Sequence, residues 1–493
     1  MRIRSVLLAA LLVPTAAQAQ SRFLEQHPDV ASRIELYSRW VEAQMRYDHQ
    51  PGVSIGIVVG TDLVWAKGFG YADRERRIPA TPTTAYRIAS ITKLFTATAI
   101  MQLRDAGKLR LDDPVAKHLP WFTIRSKFAD APPITIEQLL THTSGLPRES
   151  TQPYWSDPQY FPTHDELVKA LATQDAVYEP ATRWKYSNLA LSIAGEVVAA
   201  VSGEPWADYV ERHILQPLGM RGTTPRPTPQ MLAVGYQVLT EDGQQTVAPF
   251  TDTRAIAPAA NMASTVEDLA TFMAFQLSDD PSGDRILRRT TRREMQRVHW
   301  LRADWKSGWG IGFSVNRAGN RNLVGHGGWL DGYRTQIAFD PQAKVGVVVM
   351  TNTVEAGPGA YVAKAYEVIV PAIEAAQAPA PVKAVADPAW QKFLGRYFGS
   401  DGYITEVRVV DGKLVMYQPG LPPELDLAES VSELVPEGGT RFREAPTPDG
   451  GGEPVVFELG ADGKVVRLKN GENYLFPVGC GRIADGVRCQ PVR

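Results

Sequence analysis

Ser90-Ile91-Thr92-Lys93 opens an apolar run through Leu94, Phe95, Ala97, Ala99, Ile100, Met101 and Leu103. That spacing predicts a buried central helix with Gly107 as its end, apolar on nearly all sides. Residues three apart share a helix face, so Lys93 stands one turn from Ser90 with its amine near the hydroxyl. A serine hydroxyl becomes a competent nucleophile when a neighbour takes its proton. Burial or a nearby cation lowers a lysine far enough to do so. Free N–H groups at a helix start add stabilisation for negative charge. No other serine in the chain has a lysine three residues on, and this pair lies in apolar rather than charged surroundings.

Outward from this segment, hydrophobic spacing over residues 22–48 predicts a helix, followed by strands at 52–59 and 63–70 about a turn at Gly60-Thr61-Asp62. Further helices are expected at 135–140, 165–172, 189–201 and 265–277, the last capped by Thr265. Strand-like runs at 310–316, 332–340 and 345–351 are expected to be adjacent and antiparallel. The pattern implies an α/β (α+β) domain: an antiparallel sheet with flanking helices and a helical lobe beside it.

Two short motifs supply the rest of a nucleophilic site. Tyr186-Ser187-Asn188 offers a phenol able to move protons and an amide able to hold a substrate carbonyl. Taken alone it reads as an ordinary loop before a helix, which Ser and Asn favour. His326-Gly327-Gly328 is expected to precede a strand, its missing side chains letting a ligand approach the backbone. Ser144 in Thr143-Ser144-Gly145 lacks the Gly-x-Ser-x-Gly elbow and reads as a helix-ending turn. The histidines form no His-Glu-x-x-His pattern, and His164 with Asp165 and Glu166 reads as a helix-start cluster, so neither a metal nor another cofactor is expected.

The order Ser-x-x-Lys, Tyr-x-Asn, His-Gly-Gly resembles the serine β-lactamase and penicillin-binding-protein superfamily, in its class C β-lactamase-like branch of D-aminopeptidases, D-alanyl-D-alanine peptidases and esterases. Tyr86 to Lys93, Leu139 to Leu146, Pro217-Leu218-Gly219-Met220 and Gly325 to Gly328 match the branch's style, and the likeness covers roughly residues 30–370. The resemblance implies a β-lactamase/transpeptidase-like fold in which Ser90 is acylated, Lys93 activates it, and Tyr186 serves as general base and activates water. It implies further that Asn188 contacts the substrate amide and that the backbone N–H groups of Ser90 and Trp329 form the oxyanion hole. His326 stands where β-lactamases carry the lysine of a Lys-Thr-Gly motif. A neutral or half-charged imidazole is a weaker, pH-dependent anchor for a carboxylate. The expectation is therefore a peptidase or esterase acting on a small molecule or peptide. The alternatives are a β-lactamase or D-alanyl-D-alanine carboxypeptidase and, from another class, a non-catalytic binding protein on the same fold.

Composition bounds what surrounds this site. The 493 residues carry a formal net charge of −2 with interspersed signs, which gives no electrostatic footprint for nucleic acid. Residues 1–19 read as a signal peptide, with Arg2 and Arg4, an apolar core from Val6 to Val13, and Ala17-Gln18-Ala19 as cleavage site. A secreted, periplasmic protein without a transmembrane segment after signal removal is expected. Oligomeric state is left open. The enzyme domain is expected over residues 20–375, a stiff Pro/Ala linker over 376–388, and a small antiparallel β-barrel over 389–493. Asp-Gly pairs at 401–402, 411–412, 449–450, 462–463 and 485–486 punctuate that last region as hairpin turns. It resembles the lipocalin-type domain of some family members and reads as an appendage that covers, orients or recognises substrate. Cys480 and Cys489, flanking the last Asp-Gly, are expected to pair as a hairpin disulfide.

Overall fold

The computed structural model describes residues 24–491 apart from 25, 129, 157–158, 379–384, 400–401, 403, 420–430, 447–450 and 484–485. The signal-peptide reading lies outside these residues, as do part of the linker, several Asp-Gly turns and the side chains of Cys480 and Cys489. The strand register sets Cys480 directly opposite Cys489. The chain forms two compact units, residues 1–378 and 379–493.

In the first unit a nine-stranded antiparallel sheet forms around Gly52–Val59, which is buried along its whole length. On one side it pairs with Asp62–Asp73 and on the other with Val345–Thr351. The order continues through Tyr333–Asp340, Arg321–Leu330, Ser314–Ala318, Ser307–Trp309 and Trp300–Leu301. A strand covered on both faces explains the unbroken apolar run at 52–59. Val53, Ile55 and Ile57 share one core with Tyr37, Val41, Tyr361 and Ile369, from the helices Pro28–Tyr47 and Pro358–Val368 and the residue after the latter. Val58, Val348 and Met350 point the other way, into a larger core with Leu94, Phe95, Leu269 and Phe272. That alternation follows from the period of two along a strand.

Two expectations about this sheet are corrected. His326-Gly327-Gly328 does not precede a strand but lies inside one, Arg321–Leu330. That strand also separates the runs expected to be neighbours: Ser314–Ala318 pairs with Arg321–Leu330, which in turn pairs with Tyr333–Asp340. Glycines are poor strand formers by propensity. Here they are tolerated because other backbone passes where side chains would stand: a Cβ on Gly325 would lie 2.0 Å from the Ile337 carbonyl oxygen.

The central helix runs Thr92–Asp105, with Ala89–Ile91 forming a 3-10 turn before it, so Ser90 sits just ahead of the helix rather than on it. Every residue from Thr92 to Met101 is buried, as is Leu103. Its buried threonines stay satisfied: the Thr96 hydroxyl donates to the Pro258 carbonyl at 2.6 Å, and the Thr98 hydroxyl to the Leu94 carbonyl at 2.7 Å. Gly107, at φ +70°, takes the left-handed position that ends the helix. Thr265 caps Val266–Leu277 as expected, its hydroxyl accepting from the Asp268 N–H at 3.2 Å.

The second unit is a closed eight-stranded antiparallel barrel, sealed where Gly395–Phe398 pairs with Asn473–Ile483, with Gly486–Pro491 added as a ninth strand. Phe393, Tyr397, Val407, Leu414, Phe442 and Phe457 pack its interior. Asp411 and Gly412, at φ +48° and +77°, make a tight hairpin turn between two of its strands.

Candidate active site

Two separated pieces of chain meet at the Ser90 hydroxyl. Lys93 Nζ lies 3.0 Å from Ser90 Oγ, and the Tyr186 hydroxyl donates to the same oxygen at 2.9 Å. Lys93 is wholly buried, and its amine also donates to Asn188 Oδ1 at 2.7 Å and to the Ala259 carbonyl at 2.9 Å. Ala89, immediately before Ser90, holds φ at +45°, a conformation that costs a non-glycine residue on the order of 1–3 kcal/mol. The surrounding structure maintains that bend: the Ile88 N–H donates to the Met262 carbonyl, and Thr92 Oγ1 accepts from the Met262 N–H.

Tyr186 and Asn188 are placed by the cap of the helix Asn188–Ser202. Ser187 is the N-cap; its hydroxyl accepts from the Ala190 N–H at 3.0 Å and donates to the Pro147 carbonyl at 2.7 Å. The loop reading and the functional reading of Tyr-Ser-Asn are therefore both served, since the cap fixes the residues on either side. His142 packs beneath Tyr186 with ring centroids 4.4 Å apart. Its Nδ1 accepts from the Ser187 N–H, so its remaining proton is on Nε2.

His326 reaches the cleft from its strand with Nδ1–H donating to the Gly327 carbonyl at 2.6 Å, which leaves Nε2 as an acceptor. Gly328 must be glycine: a Cβ there would fall 2.2 Å from the Ile88 carbonyl oxygen and 2.3 Å from Thr335 Oγ1. At Gly327 the nearest obstacle is Gln336 Oε1 at 2.7 Å, the movable end of a side chain. Gly328→Ala is expected to cost about 1–3 kcal/mol of stability as overpacking, and to disturb the turn that carries Ser90. Gly327→Ala should cost less. Thermal unfolding of the two variants side by side checks the order.

The cleft has a volume of about 770 Å³. Trp155, Phe161, Ile256 and Trp329 give it apolar walls, and Arg148 and Arg334 supply positive charge. Trp155 stacks on Trp329 with centroids 5.7 Å apart, and the Arg334 guanidinium lies 5.4 Å from the Trp329 ring. Burial pushes Lys93 well below its ordinary value, Arg148 adding to the effect and Glu149 opposing it. Burial also pushes the Tyr186 phenol up, and it holds His326 down at about 3, so that imidazole is neutral at pH 7. Among the described residues no cluster of His, Cys, Asp or Glu could hold a metal ion. Thr163 and Glu166 form a capping box ahead of His164, in keeping with the helix-start reading.

Sequence reasoning assigned no part to His142, Arg148, Glu149, Trp155 or Arg334. All but Arg334 come from the stretch 142–155, where no periodicity indicates which side chains turn inward.

This fold and this set of motifs define a class of protein, and residues 38–370 match the Beta-lactamase family. The chain belongs to that family, whose members are serine hydrolases. It is 31% identical over 318 residues to Protein flp of Staphylococcus aureus (strain MW2), covering 63% of this chain and 61% of that protein. The chain thus matches less than two thirds of that relative's length. Among solved structures it is similar to the octameric penicillin-binding protein homologue from Pyrococcus abyssi, at 27% identity and TM-score 0.60, covering 90% of this chain and 99% of that one. It is also similar to EstCE1, a hydrolase with promiscuous acyltransferase activity, at 25% identity and TM-score 0.59, covering 69% and 98%. The D-stereospecific amidohydrolase from Streptomyces follows at 25% and 0.55, covering 71% and 98%.

Proposed function

We propose that this chain is an exported serine hydrolase that forms an acyl-enzyme on Ser90 and cleaves ester, amide or peptide bonds, in the manner of an esterase or D-aminopeptidase. The observation that carries the reading is the position of Ser90 Oγ, 3.0 Å from Lys93 Nζ and 2.9 Å from the Tyr186 hydroxyl. A neutral amine has two hydrogens and one lone pair. Asn188 Oδ1 and the Ala259 carbonyl take the two hydrogens, which turns the lone pair toward the Ser90 hydroxyl hydrogen. Lys93 then accepts that proton as Oγ bonds to the substrate carbonyl carbon. The backbone N–H groups of Ser90 and Trp329 receive the oxyanion. As the tetrahedral intermediate collapses, Tyr186 donates its proton to the departing oxygen or nitrogen, and the proton held by Lys93 restores the phenol. Water attacks the acyl-enzyme by the same route in reverse, releasing the acid and regenerating Ser90. In this scheme Tyr186 works as a neutral phenol relaying protons, because burial favours its protonated form.

The neutral His326 offers no fixed cation for a β-lactam carboxylate at its strand position, which supports peptide or ester substrates. One observation favours the second reading, a D-alanyl-D-alanine peptidase: Arg334 lines the cleft with no acidic partner among the described residues, and could receive a terminal carboxylate. Labelled penicillin separates the two, since a stable adduct on gels would favour the peptidase. Export rests on residues 1–19.

Incubation with a fluorophosphonate or activated ester tests the main reading. Intact mass should show one adduct, mapping by digestion to the peptide containing Ser90. No adduct between mildly acid and alkaline pH would overturn it.

A further inference from the structure

Glu149 is a half-buried acid beside this machinery, and the mechanism above gives it no task. Its Oε1 accepts from Asn188 Nδ2 at 2.6 Å and from Trp155 Nε1 at 3.1 Å, with Arg148 Nε 3.5 Å away. Asn188 is thereby held at both ends: Nδ2 on the carboxylate, Oδ1 on Lys93. We propose that Glu149 is a positioning residue of the acylation site, whose carboxylate turns the Asn188 amide so that its oxygen faces Lys93. The inference rests on the reading that Lys93 takes the proton of Ser90.

The physical argument starts from the shape of the amide. Oxygen and nitrogen of a carboxamide occupy nearly the same space, so packing alone does not choose between its two orientations. A partner that only accepts does choose. With Nδ2 drawn to a carboxylate, the oxygen must face Lys93, whose hydrogens need an acceptor. The opposite orientation would turn an amide N–H onto the lysine lone pair and take that lone pair from the Ser90 hydroxyl.

The charge has a second effect, because Glu149 is one amide removed from the amine. The ionisable groups around Lys93 are Tyr186, whose ring lies 4.9 Å from Nζ, with His142, His326, Arg148 and Glu149. The two histidines are pushed down by burial and stay neutral, and the phenol is pushed up and stays neutral. Arg148 favours the free amine. Glu149 alone favours the ammonium, so removing its charge lets Lys93 deprotonate at lower pH.

The test is the pH profile of kcat/KM for an activated ester, measured on the full chain and three Glu149 variants. Glu149→Gln should move the acidic limb down by about one pH unit. Glu149→Ala should move it equally while kcat falls at least tenfold further, because nothing then orients Asn188. Glu149→Asp keeps the charge but withdraws the oxygen by one methylene, so kcat should fall with the limb left in place. A limb unmoved in both uncharged variants, or moved as far in the aspartate variant, overturns the proposal. A purely structural glutamate would lower the rate without moving the limb. Failure of the underlying reading looks different: the unaltered chain would then show a rate that climbs only toward alkaline pH, as a phenolate base requires.

Discussion

Ser90→Ala is expected to lower ester turnover by on the order of 10⁴–10⁶-fold, the loss seen when a hydrolase gives up its nucleophile. Fold stability should barely change. Ser90 is only partly buried, and its removal costs Lys93 one of three partners while Asn188 Oδ1 and the Ala259 carbonyl remain. Tyr186 loses the acceptor that Ser90 gives its hydroxyl, but its ring stays packed on His142. Steady-state turnover together with the melting temperature checks both halves, with Tm expected within a few degrees of the unaltered protein. Turnover within tenfold of the original would place the chemistry elsewhere. A large fall in Tm would instead make Ser90 a structural residue. The covalent adduct gives a third reading, because an alanine at 90 leaves nothing for a fluorophosphonate to label.

How much of this was legible beforehand follows from which forces act locally. Ser90 and Lys93 are three apart across a 3-10 turn and the helix start that follows it, so their closeness is a local property of the chain. Tyr186 and Asn188 flank a serine whose capping role is itself local, so the start of their helix was readable. The Asp411-Gly412 hairpin was readable for the same reason, since Gly tolerates positive φ without cost. His326-Gly327-Gly328 was recognisable as a motif but misplaced at the edge of a strand. Glycine carries no side chain to mark a buried face, and only the approach of Ile337 and Ile88 explains why the strand needs it. Glu149 and Trp155 were invisible as site residues. They belong to a loop whose path is fixed by tertiary hydrogen bonds, such as Gln174 Nε2 to the Glu149 carbonyl and the Asn188 N–H to the Arg148 carbonyl. No periodicity along the chain encodes such contacts.

The largest pH effect should come from Lys93. Its amine is driven well below 10.5 by burial, so kcat/KM should rise with pH through that lowered value and level off above it, well short of 10.5. As pH falls through that lowered value, Nζ gains a third hydrogen, the lone pair is lost, and the rate should drop tenfold for each further pH unit. Tyr186 is displaced in the opposite direction, so no alkaline gain from a phenolate is expected in the ordinary range. A rate that climbs only toward pH 10 would make the phenolate the base and overturn this assignment. Lys93→Arg is a sharper probe, because a guanidinium never gives up its proton in a protein. It should lower kcat by about 10²–10⁴-fold, the usual worth of a positioned base. Stability carries the same signature. Between the lowered value in the folded state and 10.5 in the unfolded chain, the unfolded state holds the extra proton. Stability therefore rises with pH across that window, by up to about 1.4 kcal/mol per unit from this one group. In Lys93→Met that contribution to the slope should vanish, whatever the variant's absolute stability, and denaturant unfolding at several pH values would measure it. A slope unchanged by the substitution would mean that Lys93 is charged in the folded protein, and then it could not be the group that receives the proton of Ser90.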